Sequence, residues 1–232
     1  MERGMLGRLT AEAVGTFLFF FVGAGSIVMY DVLAAGGSGS PGLLGVALAH
    51  GLALAVLVSA LGAVSGGHFN PAVTFGVWIM GRIRTGAAAQ YAAAQLVGAL
   101  AAGFGLSVAF SQAAWAPSHI GTPALGTGVD PLAGIAVEAV LTALLVLTVI
   151  GTAVDPRAPK IGGLAIGLAV TADILVGGPL TGAAMNPARW FGPAVAAGYF
   201  DNWYVWWIGP LLGGGVAAAL YRWVLAPDEP VA

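Results

Sequence analysis

This sequence has few polar or ionisable side chains. Its most distinctive feature is a triplet of residues that occurs twice. Asn-Pro-Ala occurs twice, as Asn70, Pro71, Ala72 and, 116 positions later, as Asn186, Pro187, Ala188. Asn is a favoured N-cap and Pro suits the first position of a helix, so each triplet predicts a helix start. The apolar runs that follow, over residues 73–80 and 190–197, are too short to cross a bilayer. Each triplet therefore predicts a half-helix with an amide side chain at its starting end.

Two acidic side chains stand inside long apolar runs, where ionisable residues are costly and normally face protein or water. Glu12 and Glu138 each precede Ala-Val, and Gln95 lies in a similar apolar stretch. A proton relay is one interpretation of the pair. Their matching placement favours scaffolding instead, in which each carboxylate accepts hydrogen bonds from the backbone of a nearby loop, and Gln95 is expected to act similarly.

The composition excludes most other chemistry. Of the 232 residues, 59% are hydrophobic, 8 are Lys or Arg and 10 are Asp or Glu, so a soluble fold is ruled out. With a net charge of −2 there is no basic surface for nucleic acid. The chain has no Cys, and its 3 His residues show no metal-ligand spacing. We therefore expect a protein of the lipid bilayer that is not an enzyme and needs no metal or other cofactor.

Six stretches are long and apolar enough to cross a bilayer as helices. They cover residues 9–30, 44–64, 86–110, 132–154, 161–177 and 203–225. None shows the alternating polarity of a barrel strand, so an all-α membrane protein is predicted. Residues 1–8 are too short for a cleaved signal peptide, and the first span is expected to serve as the insertion signal.

The basic residues indicate an orientation. With six spans, all but one of them fall on the same side of the membrane: Arg3, Arg8, Arg82, Arg84, Arg157, Lys160 and Arg222. Basic residues in short loops mark the cytoplasm, so both termini are predicted to be cytoplasmic. The exception is Arg189, which directly follows the second triplet. Arg189 therefore needs an explanation other than anchoring on the cytoplasmic side.

The match between the two halves of the chain extends beyond the triplets. At the same offset, residues 48–53 resemble residues 164–169, and Phe-Gly at 75–76 recurs at 191–192. Each half holds three spans, and an odd number of spans inverts the second copy relative to the first. The half-helices then meet near the midplane, where the positive ends of their dipoles repel cations. The prediction is a single channel domain over residues 1–232, with repeats of about 1–116 and 117–232.

With two Asn-Pro-Ala boxes on inverted three-span repeats, and Arg189 directly after the second box, the chain resembles the aquaporin or major intrinsic protein family over essentially its whole length. Within that family, segments 65–76, 153–156 and 191–198 are most similar to the plant tonoplast intrinsic proteins. The resemblance implies six transmembrane helices plus two half-helices, and a homotetramer with one pore in each subunit. Short tails rich in Ala and Gly favour a prokaryotic cell membrane.

The resemblance also implies which residues form the narrowest part of the pore. One residue on span two, one on span five and two near the second box line it in this family; here they are His50, Ile174, Ala183 and Arg189. A strict water channel usually has an aromatic in place of His50 and His in place of Ile174, so this ring looks wider and less polar. His119, in an outer loop, is either an exposed histidine or, as in some ammonia-passing relatives, reaches back to Arg189.

The predicted function is a passive channel for water, and for small neutral solutes such as ammonia, that excludes protons and cations. A glycerol or urea facilitator of the same fold is one alternative, although such facilitators typically carry Asp where Trp190 stands. An ion-coupled secondary transporter is an alternative of another class, but it needs an ionisable pair where this sequence has amides. Asp173 is expected to pair with a histidine or to cap polar groups, and Trp190 to pack within or between subunits.

Overall fold

A computed structural model describes residues 3–37, 39–159 and 161–226. Lys160, one of the basic residues assigned to the cytoplasmic side, lies outside the described residues. The helices, in chain order, are α1 (Arg3–Ala35), α2 (Gly42–Ser65), α3 (Pro71–Ile79), α4 (Thr85–Ala109), α5 (Gln112–Trp115), α6 (Pro131–Val149) with a π-helical turn (Ile150–Val154), α7 (Gly162–Thr181), α8 (Pro187–Ala197), and α9 (Val205–Leu220) with a second π-helical turn (Tyr221–Leu225). The three described segments contain no β-strand.

Six helices in these segments are long and apolar enough to cross a bilayer, which confirms the predicted all-α membrane fold. They are α1, α2, α4, α6, α7 and α9. The half-helices α3 and α8, of 9 and 11 residues, each begin at the proline of a triplet. Two spans are longer than predicted: α1 extends beyond residues 9–30, and α7 continues past residue 177 through Pro179 to Thr181. Helical hydrogen bonding need not stop where an apolar run stops, so hydropathy alone misplaces such ends.

Local sequence explains how the chain turns from each span toward its box. The second and fifth spans, α2 and α7, both end at a glycine in the left-handed conformation, Gly66 with φ 97° and Gly182 with φ 77°. Residues other than glycine rarely adopt this backbone conformation, which ends a helix and changes the direction of the chain. Gly66 and Gly182 are 116 positions apart and are thus an equivalent pair of helix stops, each followed by the loop that leads to a half-helix.

Small residues allow the spans to approach closely, as is usual between helices in a membrane. A Cβ atom at Gly98 in α4 would lie 2.2 Å from the carbonyl oxygen of Ala13 in α1. A Cβ atom at Gly213 in α9 would lie 2.0 Å from the carbonyl oxygen of Ala139 in α6. The α1–α4 pair therefore packs like the α6–α9 pair, while α2 and α7 pack against each other. Both halves of the chain use one packing arrangement.

The ends of three elements are tied together on the side that carries the basic residues. The Arg222 guanidinium donates a hydrogen bond to the carbonyl oxygen of Ile79, the last residue of α3. Tyr221 Oη donates to Asp155 Oδ2 at 2.8 Å and so joins α9 to the end of α6. Arg157 also pairs with Asp155, and its hydrogen bonds hold the pKa of that carboxyl well below its usual range.

Candidate functional site

The two asparagines of the boxes are bound to their own half-helices and to each other's loops. Asn70 Oδ1 accepts a hydrogen bond from the backbone N–H of Ala72 at 2.8 Å, which caps α3. Its Nδ2 donates to the carbonyl oxygen of Met185 at 2.8 Å, in the loop before the second box. Asn186 Oδ1 accepts from Ala188 N at 3.0 Å, and its Nδ2 donates to the carbonyl oxygen of Phe69 at 3.0 Å.

These crossed bonds fix how the amides face the centre of the protein. Asn70 and Asn186 are each only 3% exposed. Because each Oδ1 is held by a backbone N–H of its own helix, each Nδ2 has a defined direction. One of the two Nδ2 hydrogens is used in the crossed bond, and the other has no acceptor among the described residues. The α3 and α8 N-termini therefore meet with one amide donor from each.

The loop before the first box is held by a fully buried carboxylate. The Glu12 oxygens accept hydrogen bonds from Ser65 Oγ at 2.6 Å, His68 N at 3.0 Å, Phe69 N at 2.7 Å and Gln95 Nε2 at 2.7 Å. Phe69 is in the left-handed conformation, with φ 47°, which is unfavourable for a side chain of this kind. The carboxylate thus stabilises a strained loop by binding its backbone donors, which is the geometry that scaffolding requires.

The second loop repeats this arrangement. The Glu138 oxygens accept hydrogen bonds from Thr181 Oγ1 at 2.7 Å, Ala184 N at 2.9 Å and Met185 N at 2.7 Å. Here two residues other than glycine, Ala183 and Met185, have left-handed backbones with φ 46° and 53°. Ser65 and Thr181, which sequence reasoning did not single out, are 116 positions apart. The internal repeat was the signal that could have identified them.

The four residues expected at the constriction line one cavity: His50, Ile174, Ala183 and Arg189. Its volume is about 20 Å³, room for little more than one water molecule. The cavity also contains both box asparagines. Its remaining wall is largely apolar and includes Phe19, Leu54, Val73, Leu145, Val149, Ile166 and Val170, none of which sequence reasoning identified. On one side, His50, Ile174 and Arg189 also border a wider cavity of about 340 Å³.

Two of the constriction residues contact each other directly. Arg189 Nε donates to His50 Nε2 at 3.2 Å, and His50 Nδ1 lies 2.9 Å from the carbonyl oxygen of Val46. Nδ1 must carry the proton to donate to that carbonyl, and Nε2 then accepts from the guanidinium, so His50 is neutral. The one N–H of His50 is therefore already bound to Val46 and is not free for a solute. Donors at the ring come from Arg189.

His119 lies apart from this ring. Its imidazole stacks on Tyr199, with ring centroids 4.1 Å apart and planes 11° from parallel. It lines neither the narrow cavity nor the wider one. The geometry thus favours the interpretation of His119 as a loop residue and gives no contact with Arg189.

Asp173 and Trp190 are both buried side chains close to the constriction residues in sequence. Asp173 is buried, and its Oδ2 has no hydrogen-bond partner in the part of the chain that the structure describes, so no histidine pairs with that oxygen. Trp190 packs inside the subunit, where its indole stacks on Trp206 with centroids 5.8 Å apart. It is 2% exposed and does not reach the outer surface.

The family model described as "Major intrinsic protein" matches residues 2–221. This chain belongs to the major intrinsic protein family. The aquaporin TIP4-4 of Zea mays is 48% identical over 223 residues, which cover 95% of this chain and 87% of the relative. The probable aquaporin TIP3-2 of Arabidopsis thaliana is 46% identical over 231 residues, covering 95% and 85%. The predicted similarity to tonoplast intrinsic proteins is thereby confirmed.

A solved structure shares the same architecture. The aquaglyceroporin from Plasmodium falciparum superimposes with a TM-score of 0.83 at 26% identity, covering 96% of this chain and 98% of the other. Proteins of the major intrinsic protein family are channels and not enzymes. The chain is therefore a multi-pass integral membrane protein of an aquaporin-type channel family.

Proposed function

We propose that the chain forms a passive pore for water, with residues 1–232 acting as one channel domain built from repeats of about 1–116 and 117–232. The observation that carries this proposal is the junction of the two half-helices, where Asn70 and Asn186 each keep one amide hydrogen beside a narrow cavity. Apolar walls bind water weakly, and the two donors bind its oxygen at a single point. Water passes without losing much free energy at any site.

The same junction excludes protons and cations. Each half-helix N-terminus carries about half a positive elementary charge, and the two meet at the centre. A water that accepts from both amides turns its own hydrogens away from the junction, so the chain of hydrogen bonds needed for proton transfer is interrupted. Arg189 adds a full positive charge at the constriction, where its Nη1 has no hydrogen bond to the described residues.

Ammonia is the second solute of this pore. Ile174 and Ala183 make half of the ring apolar, so a solute needs to find fewer polar partners there. Arg189 supplies N–H donors, which suit ammonia because ammonia is a good acceptor. The positive charge of the same side chain repels the ammonium ion and excludes it from the pore. This argument relies on Arg189 alone, since the His50 N–H is bound to Val46.

The alternatives receive less support from the geometry. A glycerol or urea facilitator is favoured by the similarity to an aquaglyceroporin. The cavity that the ring and both box asparagines line has a volume of about 20 Å³, which is small for such solutes. An ion-coupled transporter needs an ionisable pair at the junction, and the side chains there are the amides of Asn70 and Asn186.

Proteoliposomes test the function. We expect vesicles containing the protein to shrink much faster than protein-free lipid under a sucrose gradient, with no added proton leak. An ammonium gradient should alkalinise their interior faster than that of vesicles with the His50→Phe, Ile174→His double variant. Saturable, ion-dependent uptake would instead indicate a carrier. High water flux with ammonia entry no faster than in protein-free lipid would leave only the water channel.

We also propose a membrane location, an orientation and an oligomeric state for the channel. We place the channel in a cell membrane as a homotetramer, with both termini in the cytoplasm, although its relatives are tonoplast proteins. The gathering of Arg157 and Arg222 at one end of the bundle supports this orientation.

A labelling experiment tests the orientation. Because the chain has no Cys, a single cysteine at Arg84 or at Asp201 can be labelled selectively in intact cells. A membrane-impermeant maleimide should label Asp201→Cys and not Arg84→Cys.

A further inference from the structure

The two loops that carry the boxes are supported from behind by the last span of their own repeat. Tyr91 Oη in α4 donates to the carbonyl oxygen of Ser65 at 2.8 Å. Trp206 Nε1 in α9 donates to the carbonyl oxygen of Thr181 at 2.9 Å. Ser65 and Thr181 correspond at the 116-residue offset, so each loop is anchored at the same place by an aromatic donor.

Beyond this shared anchor, the support of the first loop is polar. Gln95 Nε2 donates to Glu12 Oε2 at 2.7 Å and lies 3.0 Å from Thr74 Oγ1. The residue 116 positions after Thr74 is Trp190. The α9 helix has no amide side chain that could act like Gln95, and Glu138 accepts one hydrogen bond fewer than Glu12 from the described residues.

An aromatic stack fills the corresponding place in the second repeat. The Trp190 and Trp206 rings are nearly parallel, 7° apart, and Phe200 meets Trp190 edge-on at 6.2 Å. Trp190 belongs to a buried cluster that includes Ala184, whose N–H binds Glu138 and whose other side lines the pore cavity. Trp190 Nε1 has no hydrogen-bond partner among the described residues. Its ring is therefore present for packing, while the Trp206 ring both packs and donates.

The second loop needs this support more than the first does. At the position where the first loop has Gly67, with φ 63°, the second has Ala183, with φ 46°. A left-handed backbone costs a residue with a side chain roughly 1–2 kcal/mol, and glycine almost nothing. The pore-lining Ala183 is thus held in a conformation that it would leave if the space behind its loop were free.

We propose that Trp190 is a positioning residue for the constriction. Its indole, stacked on Trp206 behind Ala184, takes over the role that Gln95 and Thr74 play in the first repeat and keeps Ala183 and Arg189 in place at the constriction. Loss of the ring frees the loop to move back, so the constriction widens for solutes larger than water. This inference rests on the proposed function, because it concerns what the pore admits.

Four variants separate packing from hydrogen bonding. Trp190→Ser removes the stack on Trp206. Trp190→Phe keeps an aromatic ring there and loses only an N–H group that has no hydrogen bond to the described residues. Trp206→Phe keeps the stack and loses the bond to Thr181. Trp203→Ser removes a tryptophan that is 54% exposed and serves as the matched control. The measurement is the ratio of urea to water permeability in proteoliposomes, with each variant reconstituted to equal protein content.

The expected result is a severalfold rise of this ratio in Trp190→Ser, a smaller rise in Trp206→Phe, and no change in Trp190→Phe or Trp203→Ser. An unchanged ratio in Trp190→Ser overturns the inference. If that variant does not fold, Trp190→Leu replaces it, because leucine fills part of the space without an aromatic stack, and an unchanged ratio in Trp190→Leu overturns the inference. A parent protein with no water flux contradicts the proposed function itself, which keeps the two failures distinct.

Discussion

At the scale of single residues, Arg189 is central to the proposed constriction. It follows the second box, contacts His50 and lines both cavities. We predict that Arg189→Val widens the constriction and removes its charge. Urea flux through proteoliposomes should rise about tenfold, which corresponds to a barrier lower by about 1.4 kcal/mol, and proton leak should increase.

The control for this variant is Arg84→Val, which removes an exposed arginine before α4. It should leave urea flux and proton leak as they are in the parent. If Arg189→Val also behaves like the parent, Arg189 has no part in selection at the constriction.

Sequence alone identified most of the candidate site but not its hydrogen bonds. The family resemblance, carried over by spacing from the second box, implied Ile174 and Ala183 as constriction residues. It did not show that the His50 N–H is bound to Val46, since that depends on ring orientation in the folded protein. His119 remained ambiguous for the same reason. Its stacking partner, Tyr199, is 80 positions away and lies just after the C-terminal end of α8.

At the scale of elements, close helix crossings make some glycines irreplaceable and leave others free. A Cβ at Gly98 would lie 2.2 Å from a carbonyl oxygen of α1, whereas nothing lies within 4 Å of one at Gly86 on the same helix. We predict that Gly98→Val destabilises the fold by about 1–3 kcal/mol or more, through overpacking. Gly86→Val should be tolerated.

Thermal unfolding in detergent, with yield from the membrane fraction, checks this prediction. The two variants add the same side chain to one helix, so differences in helix propensity largely cancel. Equal melting temperatures for the two variants would show that α1 and α4 do not pack as described.

Hydropathy and capping residues were enough to predict the six spans and both half-helices. The half-helices could be placed because Asn followed by Pro marks a helix start in the sequence itself. Hydropathy did not predict the short α5 or the π-helical turns after α6 and α9. Tyr221, at the start of the second turn, donates a hydrogen bond to Asp155, which follows the first turn. A hydropathy pattern does not show a contact between residues 66 positions apart.

At the scale of the whole molecule, the absence of cysteine has a measurable consequence. Mercurial reagents act on thiols, so water flux through this protein should not respond to them. Ala183→Cys places a thiol in the constriction, and that variant should lose most of its water flux to a mercurial and regain it with a reducing agent. Stopped-flow light scattering measures both. Inhibition of the parent protein, reversed by a reducing agent, would contradict the prediction.

The crossed amide bonds constrain the order in which the molecule can be built. Asn70 needs the carbonyl oxygen of Met185, and Asn186 needs that of Phe69, so neither half-helix can complete its hydrogen bonds alone. A chain still under synthesis, with only its first three spans inserted, has an unpaired amide and no second wall. The open path through the bilayer therefore arises only when the last spans have docked. We therefore expect membranes that contain unfinished chains to stay sealed during biogenesis.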